Sequence, residues 1–291
     1  MKLVSFKKDG ARGIGVLDGE AVIDLARAAP ELPQTMTDLL DAGPDALGKV
    51  RAAVETAAGR IPLASVELLA PVDRPRKILA CGLNYRDHIA ETGRDAPEVP
   101  MIFNKQATSA NGPFAPIFLP PESIALDYEG ELGVVIGQLC RRVPRDRAGE
   151  VIAGYLIAND VSVRDWQFRS PTQMMGKSWD SHCPMGPALV TPDEIDAGAL
   201  DLRTYVNGEL RQSSNTRELL FDVPFLIEHL STAFTLEPGD VILTGTPSGV
   251  AAAMKGQRWL REGDRVRIEI EGLGAIENTV VVEPGGVRIG V

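Results

Sequence analysis

Residues 126–137 have the sequence LDYEGELGVVIG, a short acidic segment followed at once by an apolar run. An apolar run of this length that is bounded by glycine favours a buried strand. Because side chains on a strand alternate between its two faces, Glu129 and Glu131 project from the same face, roughly 6.6 Å apart along the chain. Two carboxylates at that spacing can lean together onto one cation. A solvated strand edge with two glutamates is the competing interpretation of this segment taken alone.

A second apolar run ends on a carboxylate. Residues 155–160, YLIAND, are apolar until Asn159 and Asp160. A buried carboxylate has to be paired, hydrogen-bonded or bound to a metal. Together with Glu129 and Glu131, Asp160 supplies three hard oxygen ligands, which suit Mg²⁺ or Mn²⁺, whereas zinc prefers nitrogen or sulfur. These three residues are therefore the predicted ligands of a Mg²⁺ or Mn²⁺ ion.

Short strand-like runs continue on both sides of these segments. The strands predicted after residue 76 are Lys77–Cys81, Met101–Asn104, Gly130–Ile136, Ile152–Ala158, Ala188–Thr191, Asp201–Val206, Glu209–Ser213, Asp240–Thr244, Arg265–Ile270 and Ala275–Val282. Asn207-Gly208 is typical of a tight hairpin turn. One helix is predicted here, because Asp222 can cap it and Pro224 lies inside its first turn. The lack of alternating βαβ units argues against a Rossmann sheet or a TIM barrel.

The first seventy residues have a different pattern. Strands are predicted at Lys2–Phe6, Arg12–Leu17 and Glu20–Leu25, and helices at Thr37–Ala42 and Asp45–Ala58. Residues 70–76, APVDRPR, are rich in proline and charge and are typical of a domain boundary. The prediction is an α+β protein, mainly β, with a small N-terminal α+β domain at residues 1–72 and a larger domain at residues 73–291.

Composition excludes several classes of function. The chain has 291 residues, of which 44% are hydrophobic and 24% charged, as in ordinary globular proteins. Its net charge of −10 disfavours nucleic acid as a partner, because phosphate binding needs a basic surface. No run of eighteen apolar residues predicts a membrane span, and the first residues, MKLVSFKKDG, contain no apolar signal-peptide core. Three scattered cysteines predict a reducing compartment, and we expect a cytoplasmic location with no membrane partner.

Histidine is scarce, with three in the chain. His88 and Glu91 are three residues apart, so on a helix they share a face and the carboxylate can orient the imidazole and raise its basicity. An ordinary surface pair is the competing interpretation, but acid–base chemistry near neutral pH has few other candidates in this chain. For His182 and His229 we expect structural roles.

The remaining chemical motifs are few. Lys177 can pair with the predicted carboxylate cluster or bind an anionic substrate, and an ordinary surface lysine is the alternative. Cys183 is followed by Pro184 and has no obvious base beside it, so we interpret it as buried and inert. A dinucleotide loop, a G-x-S-x-G elbow, an H-E-x-x-H pair and a Walker A loop are all missing from the sequence, which excludes most of the common cofactor chemistries.

Five segments together resemble the fumarylacetoacetate hydrolase family. In chain order they are GLNYRDHIAE at 82–91, DYEGELGVVIG at 127–137, NDVSVRDWQ at 159–167, GKSWDSHCPMGP at 176–187 and TGTPSGV at 244–250. The resemblance covers residues 77–291. It implies a catalytic domain folded as a mixed β-sandwich roll, usually a homodimer, here preceded by the small N-terminal domain.

The resemblance also implies roles for individual residues. It implies Glu129, Glu131 and Asp160 as ligands of Mg²⁺ or Mn²⁺, Lys177 as the lysine beside that ion, His88 with Glu91 as the dyad that activates water, and Arg164, Gln167 and Thr246 as substrate-binding groups. The region 107–118, with Trp166 and Phe168, is expected to line the far end of the substrate pocket.

The activity that the resemblance implies is hydrolysis of a C–C bond in a 2,4-dioxo acid of the 3-acylpyruvate class, a small anionic 2-oxo acid. His88, oriented by Glu91, would deprotonate a water that attacks the 4-carbonyl. The C3–C4 bond then breaks because the leaving group is a pyruvate enolate, whose charge the metal and Lys177 stabilise. Three alternatives stay open: decarboxylation of oxaloacetate, hydration or isomerisation of a 2-oxo-alkenoate at the same site, and a non-enzymatic sensor that binds a metal–dicarboxylate complex.

Overall fold

The computed structural model of the protein describes residues 1–57, 59–286 and 289. Its strands are β1 (Lys2–Lys8), β2 (Ala11–Asp18), β3 (Ala21–Asp24), β4 (Arg60–Pro62), β5 (Glu67–Leu69), β6 (Ile78–Gly82), β7 (Met101–Lys105), β8 (Ala110–Asn111), β9 (Ile117–Leu119), β10 (Leu126–Asp127), β11 (Gly130–Ile136), β12 (Ile152–Asn159), β13 (Ser162–Val163), β14 (Cys183–Val190), β15 (Asp201–Val206), β16 (Glu209–Asn215), β17 (Val241–Leu243), β18 (Arg265–Ile270) and β19 (Gly274–Val282).

The helices are mostly short. They are α1 (Leu25–Ala28), α2 (Met36–Asp41), α3 (Gly43–Thr56), α4 (Arg86–Thr92), α5 (Arg164–Gln167), α6 (Met174–Lys177) and α7 (Val223–Ala233), with 3₁₀ turns at Leu63–Ser65, Ala107–Ser109, Arg145–Val151, Pro192–Glu194 and Thr216–Glu218.

In the described part of the chain the strands form two larger sheets and one small ribbon. Twelve strands form the first sheet, with the order β4-β3-β2-β1-β14-β12-β11-β17-β6-β7, while β5 pairs with β1 and β8 with β14. Five strands form the second sheet, in the order β16-β15-β18-β19-β9, and β10 pairs with β13. Because β17 runs parallel to β6 while most other pairs are antiparallel, the first sheet is mixed. The predicted α+β, mainly β fold with a mixed β-sandwich roll is confirmed.

β11 lies between the two main hydrophobic clusters and is buried along its whole length. Leu132 and Val134 belong to the cluster that includes Ile268 of the five-stranded sheet. Val135 belongs to the other cluster, which includes Leu39 of α2. A strand covered on both faces is apolar almost throughout, which explains the continuous apolar run in the sequence. Each fully buried side chain of this kind stabilises the fold by about 1.5–3 kcal/mol.

The N-terminal segment joins the same sheet as the rest of the chain. β1 pairs antiparallel with β14, with Leu3 opposite Leu189, and the N-terminal ammonium lies 2.7 Å from Glu194. The division into domains at residues 72 and 73 stays a prediction. Residues 287, 288, 290 and 291 of the predicted second domain lie outside the described residues, as does Ala58 at the end of the predicted helix Asp45–Ala58.

Local signals predicted the longer elements well and the shortest ones poorly. Asn207 and Gly208 have positive φ angles of 53° and 81°, as the hairpin signal requires, and Asp222 caps α7 by accepting a 2.9 Å hydrogen bond from the Phe225 amide. The strands β4, β5, β8, β9, β10 and β13 were not predicted, because two or three residues carry no periodicity. β14 begins at Cys183, five residues before the predicted start, because its prolines and glycine conceal the strand pattern.

Candidate active site

The acidic cluster forms where β11 begins and β12 ends. In the antiparallel pair Gly130 lies opposite Asn159, and just beyond it the Asp160 amide donates a 2.9 Å hydrogen bond to the Glu129 carbonyl. The carboxylates of Glu129, Glu131 and Asp160 each offer an oxygen within 4.8 Å of the other two, and all three residues are buried. The structure thus brings together the three residues predicted as metal ligands.

Lys177, at the end of α6, lies between two of these carboxylates. Its Nζ is 2.6 Å from Glu129 Oε2 and 2.7 Å from Asp160 Oδ2. Burial by itself would lower the pKa of Lys177, but Asp160 and Glu129 raise that pKa above its usual value. Burial would likewise raise the pKa of Glu129, yet Lys177 and Arg164 hold it at about 2. Lys177 and Glu129 are therefore both charged in this site.

Glu131 is the member of the cluster whose charge is least compensated. Its Oε2 accepts a 2.7 Å hydrogen bond from the Gly245 amide, and among the described residues it forms no ion pair. Burial, followed by the neighbouring charges of Asp160 and Glu129, raises the pKa of Glu131 well above its ordinary value. A bound divalent cation would supply the missing positive charge. Three buried carboxylates with one charge uncompensated are a donor set that fits Mg²⁺ or Mn²⁺.

Arg164 holds Glu129 from another direction. Its Nε donates to Asp127 Oδ2 at 2.8 Å, its Nη1 donates to Gln167 Oε1 at 2.9 Å, and its Nη2 lies 2.7 Å from Glu129 Oε1. Burial would lower the pKa of Arg164, but Glu129 and Asp127 raise it. Arg164 and Gln167 both border the cavity described below, where a substrate could contact them. Their role in substrate binding stays a prediction. What the contacts show is that Arg164 orients Glu129.

Thr246 connects the loop at residues 245–249 to β11 by a hydrogen bond. Its Oγ1 donates to the Gly130 carbonyl at 3.0 Å and accepts a 2.8 Å hydrogen bond from Gln212. The preceding residue, Gly245, has a φ of 102°, and a Cβ there would lie 2.8 Å from the Asn84 side chain, so only glycine fits. Thr246 also borders the cavity, and its predicted contact with substrate stays a prediction.

The dyad lies on α4, which borders the same cavity as Glu129 and Glu131. His88 Nδ1 is 3.1 Å from Glu91 Oε2, which leaves Nε2 as the nitrogen that can accept a proton. Glu91 also accepts hydrogen bonds of 3.0 and 3.2 Å from the Gly249 amide. Asp87 accepts a 2.7 Å hydrogen bond from Ser214. The helix is thereby fastened both to the 245–249 loop and to the five-stranded sheet.

Two residues of the acidic cluster and both residues of the dyad border one cavity of about 730 Å³, whereas Asp160 is fully buried and does not line it. Its floor includes Glu129, Glu131 and Lys177, and its side includes His88 and Glu91. The remaining wall is mixed. Its apolar part contains Met101, Phe103, Ile124, Ala125, Phe168, Val250, Ala252, Ala253 and Trp259, and its polar part contains Thr92, Arg94, Arg164, Asp165, Gln167, Gln173, Thr246 and Gln257.

The expectation for the far end of this pocket was partly wrong. Phe168 borders the cavity, whereas among the described residues neither Trp166 nor any residue of 107–118 does. Part of that segment lines a separate groove of about 350 Å³ with Arg12 and Glu67. The physical reason is that β8 pairs in parallel with β14, which places the segment beside the N-terminal strands.

Two buried charged residues of the site were not predicted. Lys105 Nζ is 2.7 Å from Asp160 Oδ1, and Asp127 binds Arg164 and the amides of Ala251 and Ala252. A signal for Lys105 was present, because it ends the apolar strand 101–105 just as Asp160 follows the apolar strand β12.

The other histidines and Cys183 have the structural character expected of them. His182 is buried, which lowers its pKa to about 3, and its Nε2 lies 2.7 Å from the Phe118 carbonyl. His229 is exposed on α7 and stacks on Phe225. Burial raises the pKa of the Cys183 thiol to about 12, so it is not a thiolate near neutral pH.

None of the helices in the described ranges combines the length and the apolar character that a membrane span requires.

Comparison with known proteins gives consistent matches over nearly the whole chain. The family model described as "Fumarylacetoacetate (FAA) hydrolase C-terminal" matches residues 77–281. A mitochondrial oxaloacetate tautomerase of Bos taurus is 44% identical over 288 residues, covering 97% of this chain and 92% of that protein.

The fumarylacetoacetate hydrolase structure from psychrophilic Exiguobacterium antarcticum is 37% identical with a TM-score of 0.88, covering 97% of this chain and 100% of that one. The maleylpyruvate hydrolase structure from a Sphingobium species, in complex with manganese(II) ion and pyruvate, is 33% identical with a TM-score of 0.81, covering 98% of this chain and 100% of that one.

Proposed function

Since the chain belongs to the fumarylacetoacetate hydrolase family, we propose that it is an enzyme that uses Mg²⁺ or Mn²⁺ to form and stabilise the enolate of a small 2-oxo acid. The observation that carries the proposal is that Glu129 and Glu131 of the acidic cluster, Lys177 and the His88–Glu91 dyad border a single cavity. An acid–base pair on one side and a charge-stabilising site on the other are what enolate formation needs.

Each residue has a defined task in this proposal. Glu129, Glu131 and Asp160 would hold the cation, which when bound polarises the 2-oxo group and so acidifies the proton on C3. His88, oriented by Glu91, removes that proton through Nε2. The ammonium of Lys177 stabilises the negative charge that develops on the 2-oxo oxygen.

The first candidate reaction is keto–enol tautomerisation of oxaloacetate. It is supported by the relative named oxaloacetate tautomerase, which aligns with 97% of this chain. In this reaction His88 takes a C3 proton from the keto form and, as imidazolium, returns a proton to the 2-oxo oxygen to give the enol. No bond between carbon atoms breaks, so the reaction needs only the groups already described.

The second candidate is hydrolysis of a C–C bond in a 3-acylpyruvate. Its support is the room in the cavity, since about 730 Å³ is in the range that encloses drug-sized ligands and exceeds the needs of a four-carbon acid. The apolar part of the wall suits the carbon chain at the acyl end of such a substrate, and the maleylpyruvate hydrolase structure holds manganese and pyruvate. Here His88 deprotonates a water that attacks C4, the C3–C4 bond breaks, and pyruvate leaves as its enolate.

Assays of the purified chain with Mg²⁺ or Mn²⁺ distinguish these candidates. Loss of the oxaloacetate enol absorbance without pyruvate formation identifies a tautomerase, and pyruvate released in equal amount with a carboxylic acid from an acylpyruvate identifies a hydrolase. His88→Ala should lower either activity by about 10²–10⁴-fold, whereas His229→Ala, a change at an exposed histidine on α7, should leave both unchanged. Pyruvate and CO₂ formed from oxaloacetate regardless of His88 would instead identify a decarboxylase, and tight oxalate binding with no turnover would identify a sensor.

The expectations about assembly and location accompany this proposal. We propose a homodimer that acts on a small anionic 2-oxo acid without nucleic-acid or membrane partners, and size-exclusion chromatography with light scattering tests the dimer. The cytoplasmic location also stays a prediction, and the tautomerase of Bos taurus differs in being named mitochondrial.

A further inference from the structure

Lys105 is a buried charged residue that the proposed reaction does not use. It is the last residue of β7, its side chain is fully buried, and it does not border the cavity. Its Nζ contacts Asp160 Oδ1 at 2.7 Å, the Val161 carbonyl at 3.3 Å and the Lys177 carbonyl. An ammonium has three N–H donors, so each donor of Lys105 has an acceptor.

The two lysines divide the oxygens of Asp160 between them. Lys105 binds Oδ1, and Lys177 binds Oδ2 together with Glu129. Lys177 borders the cavity, so its ammonium can turn towards a substrate oxygen. Lys105 has no such freedom, because moving its ammonium would leave two backbone carbonyls and a carboxylate oxygen unsatisfied in the interior.

We infer that Lys105 is a positioning residue that keeps Oδ1 of Asp160 occupied, so that Asp160 offers only Oδ2 to the divalent cation. The same ammonium binds the carbonyl of Lys177 and thereby fixes the end of α6 relative to the acidic cluster. One buried side chain from β7 thus aligns a metal ligand from the end of β12 with the lysine beside it. The inference rests on the proposed function only in requiring that the cluster binds a divalent cation.

The positive charge of Lys105 also affects metal binding, in the direction opposite to its positioning role. The test must separate these two effects. A charge this close to the cluster repels a cation, so removing the charge alone would tighten metal binding. Removing the positioning would weaken metal binding, because Asp160 could turn and both of its oxygens would become available to Lys177. Mutation of groups that orient metal ligands typically costs 10–100-fold in metal affinity. Loss of the charge and loss of the positioning therefore change the metal affinity in opposite directions.

The experiment measures Mn²⁺ affinity from the electron paramagnetic resonance signal of free Mn²⁺, added to the metal-free full chain. Lys105→Met should weaken Mn²⁺ binding by about tenfold or more. Lys77→Met is the matched control, because Lys77 also bridges two carboxylates, Glu237 and Asp240, but precedes β6 at the end opposite the cavity. Its Mn²⁺ affinity should stay within about twofold of that of the wild-type chain.

Equal or tighter Mn²⁺ binding by Lys105→Met would overturn the inference and leave the proposed function standing. If the wild-type chain bound no Mn²⁺, the proposed function itself would fail and the inference with it. Should Lys105→Met not fold by circular dichroism, a crystal structure of the wild-type chain with Mn²⁺ decides instead. Coordination by Oδ2 alone, with Lys105 on Oδ1, is the expected result, and coordination through Oδ1 or through both oxygens would contradict it.

Discussion

The two halves of the site are held in place in different ways. The acidic cluster lies at the ends of two adjacent strands of the large sheet, and Asp160 and Lys177 are at most 2% exposed. The dyad lies on the seven-residue helix α4, where the Glu91 side chain is 23% exposed and the amides of Ser248 and Gly249 donate hydrogen bonds from the 245–249 loop. The comparison therefore distinguishes a fully buried site for charge from a partly exposed site for the proton.

The largest effect on metal binding and activity is expected from a change in the acidic cluster. Glu131→Gln removes a ligand charge while keeping the shape, so it should abolish Mn²⁺ binding at micromolar concentration and lower kcat by about 10³-fold or more. Calorimetric titration with Mn²⁺ and the enol assay check both effects. A variant that binds Mn²⁺ like the wild-type chain would place the cation elsewhere.

The same substitution should stabilise the metal-free fold at alkaline pH. In the folded chain the pKa of Glu131 is raised above 4.5, its ordinary value in an unfolded chain. At a pH between the ordinary and the raised pKa, the folded chain therefore binds more protons than the unfolded chain. Stability contributed by this group is therefore present at low pH and is lost as pH rises through the raised pKa. At pH 8 the metal-free Glu131→Gln chain should have a higher free energy of unfolding than the wild type, and this advantage should shrink at pH 5. Urea unfolding at pH 5 and pH 8 measures the difference, and an equal slope with pH in both chains would contradict it.

His88→Ala tests whether the two halves are separable. Loss of the base should lower kcat by about 10²–10⁴-fold, while Mn²⁺ affinity stays unchanged because His88 does not contact the cluster carboxylates. Enzyme assays and Mn²⁺ titration of the same preparation measure the two quantities. A parallel loss of Mn²⁺ binding would show that α4 and the cluster form one unit.

A smaller effect is expected from Ser214→Ala, which removes one hydrogen bond between the five-stranded sheet and Asp87 of α4. A neutral-to-charged hydrogen bond of this kind contributes about 1.5–3 kcal/mol at most, and less when partly exposed. Amide hydrogen exchange in residues 86–92 should become faster, with kcat reduced by less than about tenfold. Unchanged exchange across α4 would show that the loop contacts alone hold the helix.

Local spacing in the sequence predicted both halves of the site, but it did not predict their surroundings. A separation of two residues on a strand and of three on a helix places Glu129 with Glu131, and His88 with Glu91, regardless of what surrounds them. Lys105 and Asp127 were missed because their partners lie at least 37 positions away in the chain. The wall of the cavity was partly misassigned for the same reason, since the pairing of β8 with β14 leaves no local pattern.

The sequence by itself determined which residue types alternate, cap and carry charge, and hence the strands, the hairpin at Asn207-Gly208 and the candidate ligands. Tertiary structure decided which of those charges meet. The register of β11 against β12 brings Asp160 to Glu129, and the burial that follows makes each unpaired charge there costly, as the raised pKa of Glu131 shows. Sequence periodicity reflects the local conformation of a few consecutive residues. The electrostatic cost of burying a charge depends instead on the groups that folding places within a few ångströms of it, wherever they lie in the chain.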